Sequence, residues 1–453
     1  MADAKSDDVS AIGRWLALIA AFLGWYFAGM LLQITSLSMR PAAIDLLSRT
    51  GTFERRAFDE LSERVAKKDS TLTEDQRGLA KHWQGQVQQW FAYFTCAFLF
   101  GGAAGGLGFG RLGDRYGRAK ALAAAVLCYA TFSGLAYFVT SPLQMVIVWF
   151  LTCLGLGGSW PNGVALIAEM WASLSRPMVS GIIGMAANIG IFVMASIALW
   201  VKITPDDWRW TMLIGASTFV LGILILLLVP ESPKWQAARA AGVAAGQKVV
   251  PMSLVFGRQY LGITLLGIVL ATVPIIGGWG SANWMIPWAD QVAGAADPFL
   301  KAKVGQYRSL TGIIGSCFGG WIAARIGRRR LYFLASLAAL GCAQYAFWFT
   351  TPKDTWFLFW VGALGLFSGL YFGWLPLCLP ELFPTSIRST GAGVCFNFGR
   401  IGTAVTVFLT GSLTAYFGGD YAKIGQVTSL IYVVGMLAIL FAPDTSQQGL
   451  EAE

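Results

Sequence analysis

The sequence predicts an all-α membrane protein with twelve transmembrane helices in two pseudo-symmetric six-helix bundles. Of its 453 residues, 56% are hydrophobic and 13% are charged, whereas about 25% are charged in soluble domains. The apolar residues also fall in runs of about 20 or more, which is the length that crosses ~30 Å of hydrocarbon. Because lipid cannot satisfy an open backbone, we expect each run to be a helix.

Twelve such runs are separated by polar loops. They predict an N-terminal half at residues 1–230, a cytoplasmic linker at 231–258 and a C-terminal half at 259–453. The spans are expected at 14–39, 89–112, 119–140, 143–171, 178–202 and 208–229 in the first half, and at 259–287, 304–325, 330–350, 355–383, 388–416 and 421–442 in the second.

Residues 40–88, between the first two spans, are polar and carry many charges of both signs. Thr73 and Gln76 have the spacing of a capping box, and other positions share one apolar helical face. We therefore expect a helical insertion on the periplasmic side of the membrane. A part in transport and a purely decorative role both remain open for it.

The net charge of +9 indicates membrane topology rather than nucleic-acid binding. The basic residues concentrate in short loops, such as Arg111–Lys120 after the second span and Arg325–Arg330 after the eighth. Excess positive charge marks the cytoplasmic loops of membrane proteins. We thus expect a multi-pass monomer in the lipid bilayer of the inner membrane, with both termini in the cytoplasm and no nucleic-acid partner.

The residue inventory predicts neither an enzyme nor a cofactor. His82 is the single histidine, and the seven cysteines have no zinc-like spacing, so no metal site is expected. The sequence contains no catalytic constellation and no GxxxxGK[ST] phosphate-binding loop. The apolar run that starts near Trp15 is too long for a signal peptide, so we interpret it as a spanning helix.

Two motifs recur between the halves at nearly the same offset. Residues Gly110–Arg118 (GRLGDRYGR) correspond to Gly320–Arg328 (GWIAARIGR). The second motif is a glutamate followed one loop later by an arginine: Glu169 with Arg176, and Glu381 with Arg388. Such self-similarity predicts a duplicated six-helix unit with its binding site between the two copies.

These motifs carry a resemblance to a known family. The GRLGDRYGR loop, Pro230–Trp235 (PESPKW) and Pro380–Gly391 (PELFPTSIRSTG) resemble the major facilitator superfamily, in particular its metabolite:proton symporter, sialate:proton symporter and sugar-porter branches. The resemblance implies the fold of that superfamily and alternating access of a central site. It further implies that the chain is a secondary active or facilitative transporter.

The resemblance also implies a charged network that closes the cytoplasmic mouth. We expect Asp114 to accept hydrogen bonds from the N-terminus of a facing helix, and the neighbouring arginines to pair with Glu169 or Glu231. Ala324 replaces the aspartate in the second half, so the halves are not expected to close equally. The alternative is that these charges only set topology. The gating candidates are Asp114, Arg115, Arg118, Glu169, Arg176, Glu231, Arg325, Arg328, Glu381 and Arg388.

Polar residues within the spans are expected to face a binding cavity, because lipid penalises them. Arg400, in span eleven, is suited to grip a carboxylate bidentately; a structural arginine satisfied by carbonyl groups is the alternative. Arg308 and Asp290 lie near span ends and are interpreted as rim residues. The other substrate-binding candidates are Asn397, Gln33, Trp25, Tyr26, Trp160, Asn162, Asn188, Asn283, Trp284 and Tyr371.

The spans lack acids at places where related symporters carry them, since Ala28, Leu31 and Ser159 stand there. A proton-coupled carrier needs a titrating group. Our hypothesis is that coupling is weakened, absent or moved to a carboxylate such as Asp290, and protons stay a candidate partner. A positively charged cavity favours an anion. The leading prediction is a carrier of a small organic anion, either a carboxylate or a sugar acid; the alternatives are a neutral sugar transporter and a non-transporting membrane sensor.

Overall fold

The computed structural model describes residues 10–66, 69–171, 176–244, 252–293, 297, 299–383, 388–417 and 420–443. Regular structure within these residues is entirely helical, which confirms the predicted all-α class. The helices are α1 (Ala11–Arg49), α2 (Arg55–Ala66), α3 (Glu74–Tyr116), α4 (Arg118–Ala136), α5 (Pro142–Met170), α6 (Arg176–Trp200), α7 (Trp210–Ser217), α8 (Phe219–Leu228), α9 (Pro233–Ala244), α10 (Leu261–Ile276), α11 (Met285–Ala293), α12 (Leu300–Ile326), α13 (Arg328–Phe349), α14 (Phe357–Glu381), α15 (Arg388–Tyr416), α16 (Tyr421–Thr428) and α17 (Ile431–Ile439).

Twelve spanning segments arise from these helices. In the described part of the chain, nine are long and apolar enough to cross a bilayer: α1, α3, α4, α5, α6, α13, α14 and the nearly continuous pairs α7–α8 and α16–α17. α12 and α15 have 27 and 29 residues. At 1.5 Å per residue each is about 40 Å long, which also spans the hydrocarbon. The interrupted helix α10–α11 completes the set.

The seventh span is not the single helix that was expected over 259–287. α10 ends at Ile276, a π turn covers Gly277–Ser281, a 3₁₀ turn covers Ala282–Trp284, and α11 follows. Pro274 removes a backbone donor, and the glycines after it allow the chain to leave α-helical geometry. Irregular backbone of this kind is tolerated at membrane depth where it lines a cavity.

The polar segment expected as an insertion over 40–88 consists mostly of the ends of two long helices. α1 runs on to Arg49 and α3 already begins at Glu74, so the added structure is α2 with its loops. α2 packs against α3. The capping box at the start of α3 is confirmed, because Thr73 and Gln76 form both of its hydrogen bonds.

The two halves meet through α3 against α15 and through α6 against α12. In the sequence repeat α3 corresponds to α12 and α6 to α15, so a pseudo-twofold axis exchanges the two interfaces. The turns that end α3 and α12 also match. Gly117 and Gly327 have φ angles of +112° and +98°, a region that glycine enters without a Cβ clash. The duplication seen in the sequence is therefore present in the fold.

The two ends of the bundle carry different structures. The linker face holds α9 and the turns at Gly117 and Gly327. The opposite end, called the α2 face, holds α2 and the loops after α4 and α13.

Candidate functional site

A cavity of about 130 Å³ lies between the two halves. Its wall comes from α1, α3 and α6 of the first half, and from α10, the π turn, α12, α14 and α15 of the second. Much of the wall is apolar and includes the rings of Phe98, Phe372 and Phe396. Its described lining residues include no Asp or Glu, whereas Arg308 and Arg400 both reach it. The electrostatic character of the cavity is therefore positive.

Arg400 is buried, with 7% of its surface exposed, and its side chain joins the halves. Its Nη1 donates to the carbonyl oxygen of Gly102 in α3 over 2.9 Å, and its guanidinium lies 5.0 Å from the centre of the Phe396 ring. A Cβ at position 102 would lie 3.1 Å from Nη1, so glycine leaves room for the guanidinium. No carboxylate in the described part of the chain pairs with it. Most of its five donors therefore stay available to a ligand.

Arg308 lines the same cavity from α12, which corrects its interpretation as a rim residue. Its Nη1 donates to Oδ1 of Asn283 over 3.4 Å, a long hydrogen bond, while Ser36 donates to the same oxygen over 2.9 Å. Among the described residues no carboxylate pairs with Arg308. The missed signal was the helical face, because Ser309 and Gly312, which follow Arg308 in α12, also line the cavity.

Gln33 is an amide of the cavity wall whose side chain has no described hydrogen-bond partner. The residue is 1% exposed, and neither Oε1 nor Nε2 has a hydrogen-bond partner among the described residues. A Cβ at Gly305 of α12 would lie 2.2 Å from Nε2, so the amide packs against that helix. Leaving a buried amide unpaired costs about 1–3 kcal/mol. A ligand that bonds to Gln33 would remove this cost.

Two further predicted residues line the wall, and a third lies directly behind it. Trp25 and Asn188 both reach the cavity. Asn188 donates to Oγ of Ser316 over 2.8 Å and so connects α6 with α12. Trp160 stacks on Phe396, with ring centres 4.7 Å apart, and supports the ring beneath Arg400.

The remaining predicted binding residues pack away from the cavity wall. Asn397 lies against α3 and leaves its buried Oδ1 without a described partner. Asn162 donates to a backbone carbonyl of α3 over 3.0 Å. Tyr371 forms a 2.7 Å hydrogen bond with a serine of α13. Trp284 stacks on a tyrosine of α16, and Tyr26 contacts a phenylalanine of its own helix.

At the linker face, ion pairs form within each half. Arg118 pairs with Asp114, and its Nε lies 3.3 Å from Glu169. In the second half Arg328 donates to both oxygens of Glu381, over 3.1 and 3.3 Å. The aspartate of the first network has no counterpart, because residue 324 is alanine.

Glu231, rather than Asp114, accepts from the N-terminus of the facing helix. Its Oε1 accepts from the backbone N–H groups of Arg118 and Ala119, over 2.7 and 3.1 Å. The first N–H groups of a helix have no partner inside it, and a carboxylate there is favourable. Asp114 is instead paired with the Arg118 side chain one turn further on.

The other gating candidates make ring contacts or are not described. Arg115 lies 5.2 Å from the ring centre of the adjacent tyrosine, and Arg325 lies 3.8 Å from that of Trp321. The side chains of Arg176 and Arg388 lie outside the described part of the structure.

Toward the α2 face, a carboxylate connects the two halves. Asp290 of α11 accepts from Arg40 of α1 over 2.9 Å, and Lys301 of α12 lies 3.3 Å from its other oxygen. The three side chains are 12–20% exposed. Arg40 also donates to Gln84 of α3 over 3.2 Å. We call Arg40, Asp290 and Lys301 the interhalf triad, because it joins α1 to α11 and α12.

Two six-helix halves around a ligand-sized cavity define a multi-pass membrane transporter rather than an enzyme. The chain belongs to the Major Facilitator Superfamily, whose family model matches residues 14–407. This confirms the resemblance seen in its loop motifs.

Relatives of the chain are also transporters. A Bacillus subtilis (strain 168) protein named for niacin/nicotinamide transport, NiaP, is 28% identical over 359 residues, which cover 78% of this chain and 86% of the relative. The cis,cis-muconate transport protein of Acinetobacter baylyi is 26% identical over 350 residues, covering 76% and 83%. Among solved structures, the D-xylose–proton symporter has a TM-score of 0.64 at 17% identity, over 95% of this chain and 98% of that one.

Proposed function

We propose that the protein carries a small organic anion, a carboxylate or sugar acid, across the inner membrane by alternating access. The observation that carries the proposal is Arg400, a buried guanidinium that reaches the cavity without a carboxylate partner among the described residues. An arginine in this setting holds a carboxylate through charge-assisted, bidentate hydrogen bonds. The anion in turn compensates a charge that is costly inside a membrane protein.

The relatives support an anionic substrate. Two of them are named for transport of niacin/nicotinamide and of cis,cis-muconate. Niacin and cis,cis-muconate are both carboxylates built on a compact unsaturated body, whereas nicotinamide is the neutral amide of niacin. The apolar and aromatic rings of the cavity wall suit such a body, and Arg400 suits its charged end.

Alternating access requires contacts between the halves that open in turn. The interhalf triad is one contact that must separate when the α2 face opens. The linker face lies in the cytoplasm, since its loops carry the excess of Lys and Arg, and both termini lie on that side. The protein acts as a monomer in the bilayer.

Proton coupling has weak support in this cavity. The described lining residues include no Asp or Glu, and the positions where related symporters carry acids are packed instead. Ala28, Leu31 and Ser159 are each at most 2% exposed. The remaining candidate for a titrating carboxylate is Asp290, which pairs with both Arg40 and Lys301 in the interhalf triad. We therefore favour facilitated diffusion or anion exchange.

The test is uptake into proteoliposomes with a panel of labelled carboxylates and neutral sugars, with and without an inward proton gradient. We expect carboxylate uptake that the gradient does not change, and that Arg400→Gln lowers by about a hundredfold or more, because a buried charged hydrogen bond is lost. Arg77→Gln is the matched control, since Arg77 is exposed on α3.

Each other outcome has a defined meaning. Uptake of sugars but not of carboxylates would refute the proposal. Full carboxylate uptake by the Arg400→Gln variant would show that Arg400 does not bind the substrate. Accumulation driven by the proton gradient would show that a carboxylate outside the cavity wall titrates during transport.

A further inference from the structure

Arg308 and Arg400 place two guanidinium groups in one cavity whose described lining has no acid. Each meets only neutral acceptors among the described residues: Asn283 for Arg308, and the carbonyl oxygen of Gly102 for Arg400. Buried charges are normally paired, because an isolated one is strongly disfavoured. A single carboxylate on Arg400 would leave Arg308 uncompensated.

The two arginines lie at different depths of the bundle, Arg308 nearer the α2 face and Arg400 near the middle. α12, α13, α14 and α15 are consecutive spanning helices, so α12 and α15 run in opposite directions. α12 begins at the α2 face, and Arg308 lies about 12 Å along the helix from that start. α15 begins at the linker face, and Arg400 lies about 18 Å along the helix from that start. Their contacts differ as well, since Arg400 touches α3 whereas Arg308 touches the 3₁₀ turn after the π turn. They therefore mark two ends of the cavity.

The end marked by Arg308 has a second group that is suited to an anion. Gln33 packs against Gly305, which precedes Arg308 by one turn on the same side of α12. Its buried Nε2 has no described hydrogen-bond partner. An amide donor and a guanidinium at this spacing form a site for a carboxylate. Ser36 lies beside it and donates to Oδ1 of Asn283, the same oxygen that accepts from Arg308.

We propose that the cavity has two anion subsites, Arg400 at one end and Arg308 with Gln33 at the other, and that the substrate is a compact dicarboxylate. The inference rests on the proposed function and narrows it to a substrate class. One carboxylate pairs with each arginine, and the apolar body between them lies against the rings of the wall. A cavity of about 150 Å³ lined by apolar side chains holds a benzene ring, so the observed volume of about 130 Å³ limits the body of the substrate to about one ring.

The experiment compares ligands that differ by one charge and keep the same shape. Purified full-length protein in detergent is titrated by calorimetry with benzene-1,4-dicarboxylate and with its monoamide, and with hexanedioate and its monoamide as an open-chain pair. In the wild-type protein we expect the better diacid to bind about tenfold or more tightly than its monoamide, because the second carboxylate gains a charge-assisted bond.

The variants assign that preference to one subsite. Arg308→Gln should remove the preference for the diacid, and binding of the monoamide that is retained through Arg400 shows that the variant folds. Arg308→Lys should keep part of the preference, since it keeps the charge but not the planar fork. Arg400→Gln should weaken both ligands.

The results separate this inference from the proposed function. If monoamides and diacids bind the wild-type protein equally, the second subsite does not exist, although carboxylate binding by Arg400 stands. If Arg308→Gln weakens both ligands equally, Arg308 has a structural role and the inference is overturned. If no carboxylate of the panel binds, the proposed function fails together with the inference.

Discussion

Replacing Asp290 by asparagine should open the α2 face of the protein. Asp290 is the acid of the interhalf triad, and the substitution keeps its size while it removes the charge between Arg40 and Lys301. Both cations then repel each other across the boundary between the halves. In the alternating access that we propose, the contact exists only while that face is closed, so its loss acts on the balance between the closed and open conformations.

The structure sets the size of the effect. Exposed ion pairs contribute about 0–1 kcal/mol, and breaking a buried pair costs about 3–5 kcal/mol. The triad lies between these limits, since its side chains are 12–20% exposed with N–O distances of 2.9 and 3.3 Å. We therefore expect a shift of about 2 kcal/mol, which multiplies the ratio of open to closed protein by about 30. An open state of about 1% would rise to roughly a quarter of the population.

Electron–electron distance measurements between two spin labels are suited to detect this change. Thr140 and Lys353 are exposed in corresponding loops, after α4 and α13, and lie on different halves. Labels on Thr140→Cys and Lys353→Cys would be placed in a Cys317→Ser background, because Cys317 is the exposed member of the cysteines. In the Asp290→Asn variant a second, longer distance should appear and should account for roughly a quarter of the signal.

Asp297→Asn is the matched control. Asp297 lies near the same face and pairs with Lys303 over 2.8 Å, but both residues belong to the second half. Its loss should leave the distance distribution unchanged. The same long distance in both variants, or in neither, would refute the role of the interhalf triad in holding the α2 face closed.

Two further predictions concern residues that support the cavity and the linker face. Gly102→Val should lower carboxylate uptake by about tenfold or more, because its Cβ alone would lie 3.1 Å from the Arg400 guanidinium; Gly108→Val, where a Cβ meets nothing within 4 Å, should leave uptake unchanged. Glu381→Gln should destabilise the protein by about 2 kcal/mol and more than Glu169→Gln does, because Glu381 is 10% exposed and Glu169 23%. Thermal unfolding in detergent measures both values, and an equal or reversed order would contradict this account of the two networks.

The fold could be predicted from the sequence because its causes are local. Runs of apolar residues and the repeated Gly110–Arg118 loop depend on neighbours in the chain, and both are present in the structure. The break at Gly277–Ser281 was missed because the span was assigned by its length, although the glycines after Pro274 are a signal for it in the sequence. The ends of α1 and α3 were also missed, because helices that continue beyond the apolar run become polar and resemble a loop insertion.

The site could be predicted only in part, since it is assembled from contacts between distant residues. Arg400 was found because a charge in the middle of a span is conspicuous. Arg308 was assigned to the rim from its distance along the helix, although its helical face decides where it points. The partners Arg40 and Asp290 are 250 residues apart, and no single-sequence pattern connects them. The sequence could not separate the buried amides for the same reason. Asn162 donates to a backbone carbonyl of α3, whereas Gln33 lines the cavity.

In the proposed transport cycle, Arg308 and Arg400, which have no carboxylate partner among the described residues, also affect how the empty carrier returns after release. Closing the empty cavity around two guanidinium groups leaves them without a counter-ion, at a cost of several kcal/mol. A bound anion offsets this cost, so the loaded protein should change conformation faster than the empty one. We therefore expect unlabelled substrate inside proteoliposomes to accelerate uptake of labelled substrate by about tenfold, which corresponds to about 1.4 kcal/mol between the two barriers. Equal rates into empty and preloaded vesicles would mean that the empty cavity closes without this penalty, and that the charge of the arginines does not make the protein an exchanger.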